Sequence, residues 1–396
     1  MSPRFQSGTD HAHTSLLVHA ALVQVLSYGL RAAIAYEMLA LGKDGAWLGY
    51  SAAAFALPPL LLALPSGALV RRFGERTSLV IGAVAFVLAI LVVLVVGENP
   101  LGLIAASALI GCGVLFSVVG EQSWVMSVAQ GGRLDFAFGM YTLATSTGQM
   151  LGPLLLLIRP FTPTPGALNT APALTEIAWL CFGGAVIIFG LSCGIPPSRA
   201  GGRAGTGGGA VQLLRSPGVP AALYTSSIVL TSLDIAIMYL PLLAESRGIS
   251  AGWVSAMLVA RGAATMLSRL TLSAMTRRFG RRPVLIGGSG LAGIALVSFV
   301  LPLPVPAILL ACALYGFAAG TVQPLTMSWM TLITTLDQRS TAASLRLLGN
   351  RIGQTGVPLI AAGISSFGGA GSVFTAVGAG LLAAAALSRA APNDTR

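Results

Sequence analysis

Long apolar stretches alternate with short polar loops along almost the whole chain. Each stretch has roughly 20 residues or more, the length that a helix needs to cross about 30 Å of hydrocarbon. The pattern predicts six membrane-spanning helices before residue 196, over 15–40, 46–70, 77–97, 101–128, 136–159 and 174–195. It predicts six more after residue 218, over 219–244, 251–275, 282–303, 306–334, 340–366 and 370–390. We therefore expect an all-α membrane protein with about twelve transmembrane helices.

The two sets of predicted spans carry the same markers in the same order. The sequence Arg71-Arg72-Phe73-Gly74 recurs 206 residues later as Arg277-Arg278-Phe279-Gly280, and Gly148-Gln149 recurs 205 residues later as Gly353-Gln354. Such a repeat at a nearly constant offset indicates an internal duplication. We predict two pseudo-symmetric six-helix halves, over 1–195 and 219–396. A cytoplasmic linker rich in Gly, Ser and Arg joins them over 196–218.

The composition places most of this chain in lipid. Only 9% of the residues are charged and 55% are hydrophobic, with a mean hydropathy of +0.84. A soluble domain carries about 25% charged residues. The formal net charge of +11 comes from arginines in short loops, without the basic and aromatic face typical of nucleic-acid binding. By the positive-inside rule, these loops and both termini are predicted to lie in the cytoplasm, and the protein in the cytoplasmic (inner) membrane.

The loop after the second predicted span carries a ten-residue motif. It reads Gly67-Ala68-Leu69-Val70-Arg71-Arg72-Phe73-Gly74-Glu75-Arg76, and a weaker copy runs over 273–282. Together with the two halves, it resembles the major facilitator superfamily, whose motif is G-x-L-x-D-R-x-G-R-[KR]. The resemblance covers essentially the whole chain and implies that this motif contributes to gating. The positions that match are Gly67, Arg72, Gly74 and Arg76, with Arg71 at the acidic position, and Arg277, Arg278 and Gly280 in the second copy.

A second motif lies in the fifth predicted span. Gly148, Gly152 and Pro153 form the pattern G-x-x-x-G-P, which resembles that of exporters in the same family. Glycines four residues apart let two helix backbones approach closely, and the proline interrupts the helix. The resemblance implies a transporter without a cofactor or a metal, working as a monomer.

The chain also contains the pattern G-x-G-x-x-G, at Gly288-Ser289-Gly290-Leu291-Ala292-Gly293. This pattern is typical of dinucleotide-binding proteins only where a strand precedes it, and no strand is predicted here.

Ionisable residues inside predicted spans are costly to insert and are treated as functional hypotheses. The carboxylates Glu121 and Asp234 are the candidates for proton coupling. A carboxylic acid in a low-dielectric site can bind and release a proton near neutral pH. The alternative for Glu121 is a structural ion pair with an arginine from another helix. His11 and His13 are interpreted as incidental residues of an N-terminal tail.

Polar residues of the first, fourth, seventh, tenth and eleventh spans are the candidates for the substrate cavity. For four of these spans the family resemblance implies a position lining the cavity, whereas on the eleventh span the polar residues share one arc of the helix. The candidates are Gln24, Tyr28, Arg31, Trp124, Tyr239, Gln323, Asn350, Arg351 and Gln354. The excess of arginines favours an anionic or zwitterionic substrate.

The sequence therefore predicts a proton-coupled exporter of a small organic molecule that works by alternating access. One alternative is a proton symporter for uptake of a small organic anion or nutrient. Alternatives of another class are a polytopic membrane enzyme and a receptor that does not transport. The sequence contains no H-E-x-x-H motif that would support an enzyme.

Overall fold

A computed structural model describes residues 3–128, 134–158, 172–196, 210–335 and 338–392, and within them every regular element is helical. The α-helices of the first part are α1 (Pro3–Ala40), α2 (Gly45–Phe73), α3 (Glu75–Val96), α4 (Pro100–Val128), α5 (Leu134–Leu151) and α6 (Leu174–Gly194). Those that follow are α7 (Ala210–Leu214), α8 (Val219–Ser246), α9 (Ala251–Phe279), α10 (Arg281–Ser298), α11 (Val305–Leu332) and α12 (Arg339–Leu387). The prediction of an all-α protein is confirmed.

Each predicted span falls on a helix of the structure. Among the described residues, eight helices are long and apolar enough to cross a membrane on their own hydropathy. The last of them, in α12, covers the two final predicted spans and is broken at Gly369, whose φ is 60°. The other predicted spans are α9, α10 and α5, and α5 continues into the 3-10 helix Gly152–Leu157. At the other end of the chain, α1 begins at Pro3, so the N-terminal residues predicted as a tail are helical.

The chain forms two compact units, and we describe each separately. The first comprises Met1–Lys43 and Ala54–Arg203, and the second comprises Asp44–Ala53 and Ala204–Arg396. The predicted division differs in assigning 44–53 to the first half. Within the second unit, the hydroxyl of Tyr239 donates a hydrogen bond of 2.9 Å to the carbonyl of Gly45. The predicted linker includes α7, while 197–209 lies outside the described residues.

The repeat in the sequence is also a repeat in local structure. Gly74 separates α2 from α3 with a φ of 84°, and Gly280 separates α9 from α10 with the same φ. Gly111 of α4 lies so close to α2 that a Cβ would overlap the carbonyl of Phe55. In the second unit, Gly316 of α11 packs in the same way on the carbonyl of Arg261 in α9. Each unit is therefore built around the same helix contact, which only a residue without a side chain permits.

Candidate functional site

A group of hydrogen-bonded polar side chains lies inside the first unit. Glu121 of α4 and His19 of α1 are fully buried, and His19 Nδ1 lies 2.7 Å from Glu121 Oε1. The hydroxyl of Tyr141, on α5, donates to Glu121 Oε2 at 3.0 Å. Ser192 Oγ, on α6, lies 3.0 Å from His19 Nε2. We call these four residues the His19–Glu121 cluster. Four helices contribute one residue each, so the cluster forms only when the unit is assembled.

The positions of these residues along their helices place them at one end of the unit. Glu121 lies about two turns before the end of α4, and Tyr141 about two turns after the start of α5. Ser192 belongs to the last turn of α6. Apolar side chains that include Leu16, Trp124 and Ile195 pack around this region. Because they exclude water, the hydrogen bonds within the cluster operate in a low-dielectric environment.

The surroundings of Glu121 differ from the predicted alternative. An arginine partner was expected if the residue formed a structural pair, but the described partners of its carboxylate are a histidine and a tyrosine. His19 was missed by the sequence analysis, although a histidine inside an apolar span is itself an intramembrane ionisable residue. Of the histidines that were considered, His13 lies with its ring 6.3 Å from that of Trp124.

The remaining polar candidates of the first unit have other contacts among the described residues. Gln24 accepts a hydrogen bond of 3.3 Å from Gln149 on α5. The guanidinium of Arg31 is buried and stacks on the ring of Phe55, 3.8 Å from its centroid. Trp124 is buried beside the cluster and donates to the carbonyl of Pro196 at 3.3 Å. Tyr28 is half-buried, and its Cβ lies beside Gly152 at the start of the 3-10 helix.

A second polar arrangement lies inside the second unit and joins residues that are distant in sequence. Gln354 of α12 donates from Nε2 to Asp234 Oδ2 of α8 at 2.7 Å. Arg351 donates from Nη1 to Gln354 Oε1 at 2.8 Å. The side-chain amide therefore bridges a cation and a carboxylate. Asp234 and Gln354 are buried and Arg351 is half-buried.

The other predicted cavity residues of the second unit have different partners. Gln323 of α11 donates to the carbonyl of Ser226 at 3.2 Å and accepts from Arg346 at 3.2 Å. The Oδ1 atom of Asn350 is buried without a hydrogen-bond partner in the part of the chain that the structure describes. Tyr239 is fully buried, and its hydroxyl donates a hydrogen bond to the carbonyl of Gly45. Among the described residues, none of these hydrogen bonds involves Asp234.

The two units can be compared position by position through the repeat. At the offset of 205 residues, Glu121 corresponds to Thr326 and Tyr141 corresponds to Arg346. The contact is retained, since Arg346 donates to Thr326 Oγ1 at 3.3 Å. The second unit thus has the same pair of positions in contact, but with a threonine in place of the carboxylic acid.

The residues of the predicted gating motif lie at the ends of helices. Gly67 is inside α2, and the side chain of Arg71 lies outside the described residues. Arg72 and Arg76 are exposed, as are Arg277 and Arg278 in the second copy. The guanidiniums of Arg72 and Arg278 each lie over the phenylalanine that follows, at 5.1 Å and 5.5 Å from the ring centroids.

The predicted packing motif lies at the contact between α5 and α1. A Cβ on Gly148 would overlap the carbonyl of Ala21, and a Cβ on Gly152 would lie 2.8 Å from the carbonyl of Val25. Pro153 stands where α5 changes into its 3-10 continuation. These contacts hold α1, which carries His19, against α5, which carries Tyr141.

We expect Gly148→Ala to destabilise the protein by about 1–3 kcal/mol, because the new methyl group overlaps the backbone of α1. Gly139, also on α5, has open space around it and provides the control. Gly139→Ala should be neutral or slightly stabilising, since alanine favours a helix over glycine by about 1 kcal/mol. Thermal unfolding of the purified variants in detergent measures both effects. Equal melting temperatures for the two variants would contradict the predicted close contact.

The fold and the buried polar groups define a polytopic helical membrane protein with ionisable residues inside its spans. Its sequence matches the Major Facilitator Superfamily over residues 16–159 and 222–395. The chain belongs to this family, as its motifs predicted. It is therefore a multi-pass membrane transporter and not an enzyme.

Two kinds of relatives support this assignment. The multidrug efflux pump Tap of Mycolicibacterium fortuitum is 26% identical over 341 residues, which cover 81% of each chain. Among solved structures, the nucleoside transporter NupG matches with a TM-score of 0.76 and 12% identity, covering 96% of this chain and 98% of that one. A D-xylose-proton symporter matches with a TM-score of 0.77 and 15% identity, covering 97% and 98%. The structural matches establish the fold.

Proposed function

We propose that this transporter exports a small organic molecule from the cytoplasm in exchange for protons. The observation that carries the proposal is the fully buried Glu121, hydrogen-bonded to His19 and Tyr141 inside a membrane-spanning unit. The transporter would lie in the cytoplasmic membrane, as a monomer, with both termini in the cytoplasm.

The chemistry of the His19–Glu121 cluster suits a proton carrier. An isolated buried carboxylate is very costly, so the cluster is most stable when a proton on the acid or on the imidazole cancels its charge. Histidine and glutamate are the side chains that form proton relays inside membrane pumps and transporters. During alternating access, the cluster would bind this proton from water on one side of the membrane and release it to water on the other side.

Two observations support the direction of transport. The curated relative is named a multidrug efflux pump and aligns over four fifths of both chains. The pattern Gly148-x-x-x-Gly152-Pro153, which resembles that of exporters, holds α5 against α1. Because α5 and α1 also carry Tyr141 and His19, movement of one helix against the other would disturb the proposed proton site.

Substrate contacts are proposed for the remaining polar candidates. In the second unit, the bridge formed by Asp234, Gln354 and Arg351 presents both signs of charge within one hydrogen-bonded group. Such a group suits a zwitterionic or hydrogen-bonding substrate. We assign Asp234 to this bridge and Glu121 to proton coupling. The arginine-rich turns at Gly74 and Gly280 remain the proposed gating elements.

Inside-out membrane vesicles provide the test, because export then appears as accumulation in the lumen. We expect an acidic lumen to drive accumulation of fluorescent organic dyes, and a protonophore to abolish it. The panel should contain cationic, zwitterionic and anionic dyes, with vesicles lacking the protein as the control. Dye expulsion from the acidic lumen would instead indicate a proton symporter for uptake. Accumulation that is the same with and without the proton gradient would contradict proton coupling.

A further inference from the structure

The hydrogen bonds of Ser192 constrain the position of the protons in the His19–Glu121 cluster. A serine hydroxyl has one proton to donate and can accept further hydrogen bonds. In the last turn of α6, Ser192 donates this proton to the carbonyl of Ile188 at 2.8 Å. The same oxygen lies 3.0 Å from His19 Nε2. Since its proton is used, Ser192 must accept, and His19 Nε2 must therefore carry a hydrogen.

The opposite side of the cluster is constrained in a similar way. Tyr141 donates its hydroxyl proton to Glu121 Oε2, so this oxygen acts as an acceptor. The remaining short contact joins His19 Nδ1 and Glu121 Oε1 at 2.7 Å. Two atoms this close that both lacked a proton would repel each other through their lone pairs, so one proton lies between them.

We propose that Ser192 is the positioning residue that holds His19 in its Nε2–H form, and that the proton exchanged during transport lies between His19 Nδ1 and Glu121 Oε1. The role of that proton in transport rests on the proposed function, whereas its location does not. With the proton present, the cluster has no net charge, whether the proton is on the imidazole or on the acid. Its release to water leaves a net charge of −1 on the cluster.

Loss of this proton is incompatible with the hydrogen bonds described above. The bare Nδ1 lone pair would face a carboxylate oxygen at 2.7 Å. The ring can supply a hydrogen on Nδ1 only if it gives up the one on Nε2, and Ser192 must then turn from Ile188 to donate to Nε2. The release of a proton from α4 is thereby linked to a rearrangement at the end of α6, through the ring of His19 on α1.

Nitrogen NMR of the imidazole tests the location of the protons directly. The full-length protein, labelled with ¹⁵N-histidine and reconstituted in lipid bilayers, has three histidines, and the signals of His19 are those lost in His19→Gln. We expect Nε2 of His19 to give the shift of a protonated nitrogen at neutral pH. In Ser192→Ala, which has no acceptor for an Nε2 hydrogen, the imidazole should keep a single hydrogen on Nδ1, donated to Glu121 Oε1, and the shared proton should be lost to water. Ser192→Thr, which restores a hydroxyl, should restore the original spectrum.

Two spectroscopic results would overturn the inference. One is a wild-type His19 with a bare Nε2 and a protonated Nδ1. The other is a Ser192→Ala spectrum identical to that of the wild type. Size-exclusion chromatography and melting curves show whether each variant is folded, and the wild-type spectrum decides the tautomer even if Ser192→Ala is unstable.

Transport by the same variant separates this inference from the proposed function. Ser192→Ala should accumulate dye against its gradient about tenfold less than wild type, the order of effect expected when a hydrogen bond to a charged group is lost. Exchange of dye without a proton gradient should persist, which a merely destabilised protein would not show. If wild-type vesicles show no proton-driven transport, the proposed function fails while the NMR result on Ser192 stands. If wild type transports and Ser192→Ala is equally well coupled, Ser192 has no positioning role.

Discussion

Glu121→Gln is expected to abolish proton-driven accumulation of substrate while leaving exchange without a gradient intact. The amide resembles the protonated acid in size and can still hydrogen-bond to His19 and Tyr141. It cannot release a proton, so the transport cycle loses its coupling but keeps its substrate contacts. Accumulation in inside-out vesicles should fall to the level of vesicles without the protein, and counterflow of preloaded dye should continue.

Glu98→Gln is the matched control, since it makes the same chemical change at an exposed position. It should transport like the wild type. Undiminished accumulation by Glu121→Gln would remove this residue as the proton carrier. If Glu121 serves only to hold the helices together, the variant should lose counterflow and thermal stability as well. Removal of one partner from a buried charged pair costs about 3–5 kcal/mol.

The second large effect is expected at Gln354, which joins Asp234 to Arg351 in the second unit. Gln354→Leu has nearly the same volume but removes both hydrogen bonds. The buried carboxylate of Asp234 then loses a donor and Arg351 loses an acceptor. Each lost hydrogen bond to a charged group costs about 1.5–3 kcal/mol, so we expect a clearly lower melting temperature together with impaired transport.

Thr355→Val on the same helix is the control for this substitution. It removes only a local hydrogen bond to the carbonyl of Arg351 and is also nearly isosteric. A smaller loss of stability is expected there. If Gln354→Leu melts like Thr355→Val, the amide does not bridge the two charges in solution. If adding Asp234→Asn restores the stability lost in Gln354→Leu, the cost came from the carboxylate and not from altered packing around residue 354.

Hydropathy was enough to find the spans of this protein because lipid leaves few alternatives to a helix. The weakly apolar α9 and α10 were located in the same way, and the repeat relates them to α2 and α3. The sequence did not indicate that 44–53 packs as part of the second unit. That property depends on contacts such as the one from Tyr239 to Gly45, which join residues 194 positions apart.

The candidate site was predicted in part, and for a physical reason. Glu121 was identifiable because a carboxylate is costly in a membrane, whatever surrounds it. Its partner His19 is 102 residues away in the chain, and one histidine hardly changes the hydropathy of an apolar span. In the same way, Asp234 and Gln354 were both identified as candidates, but 120 residues separate them and no pattern indicated that they form a hydrogen bond. Side-chain partners between helices are determined by packing, which sequence periodicity does not describe.

Glu121 in the first unit corresponds to Thr326 in the second. This difference has a consequence for the energetics of transport. The repeat has two equivalent positions, but only the one in the first unit can bind a proton. Under the proposed mechanism, the His19–Glu121 cluster would therefore exchange one proton in each cycle. For a neutral substrate, one charge then crosses the membrane per cycle, and the membrane potential adds about 2.3 kcal/mol of driving force per 100 mV. For a substrate with a single positive charge the exchange is electroneutral, and the pH difference alone supplies the energy. Under the proposed mechanism, the charge of the cargo would thus determine which component of the protonmotive force drives transport.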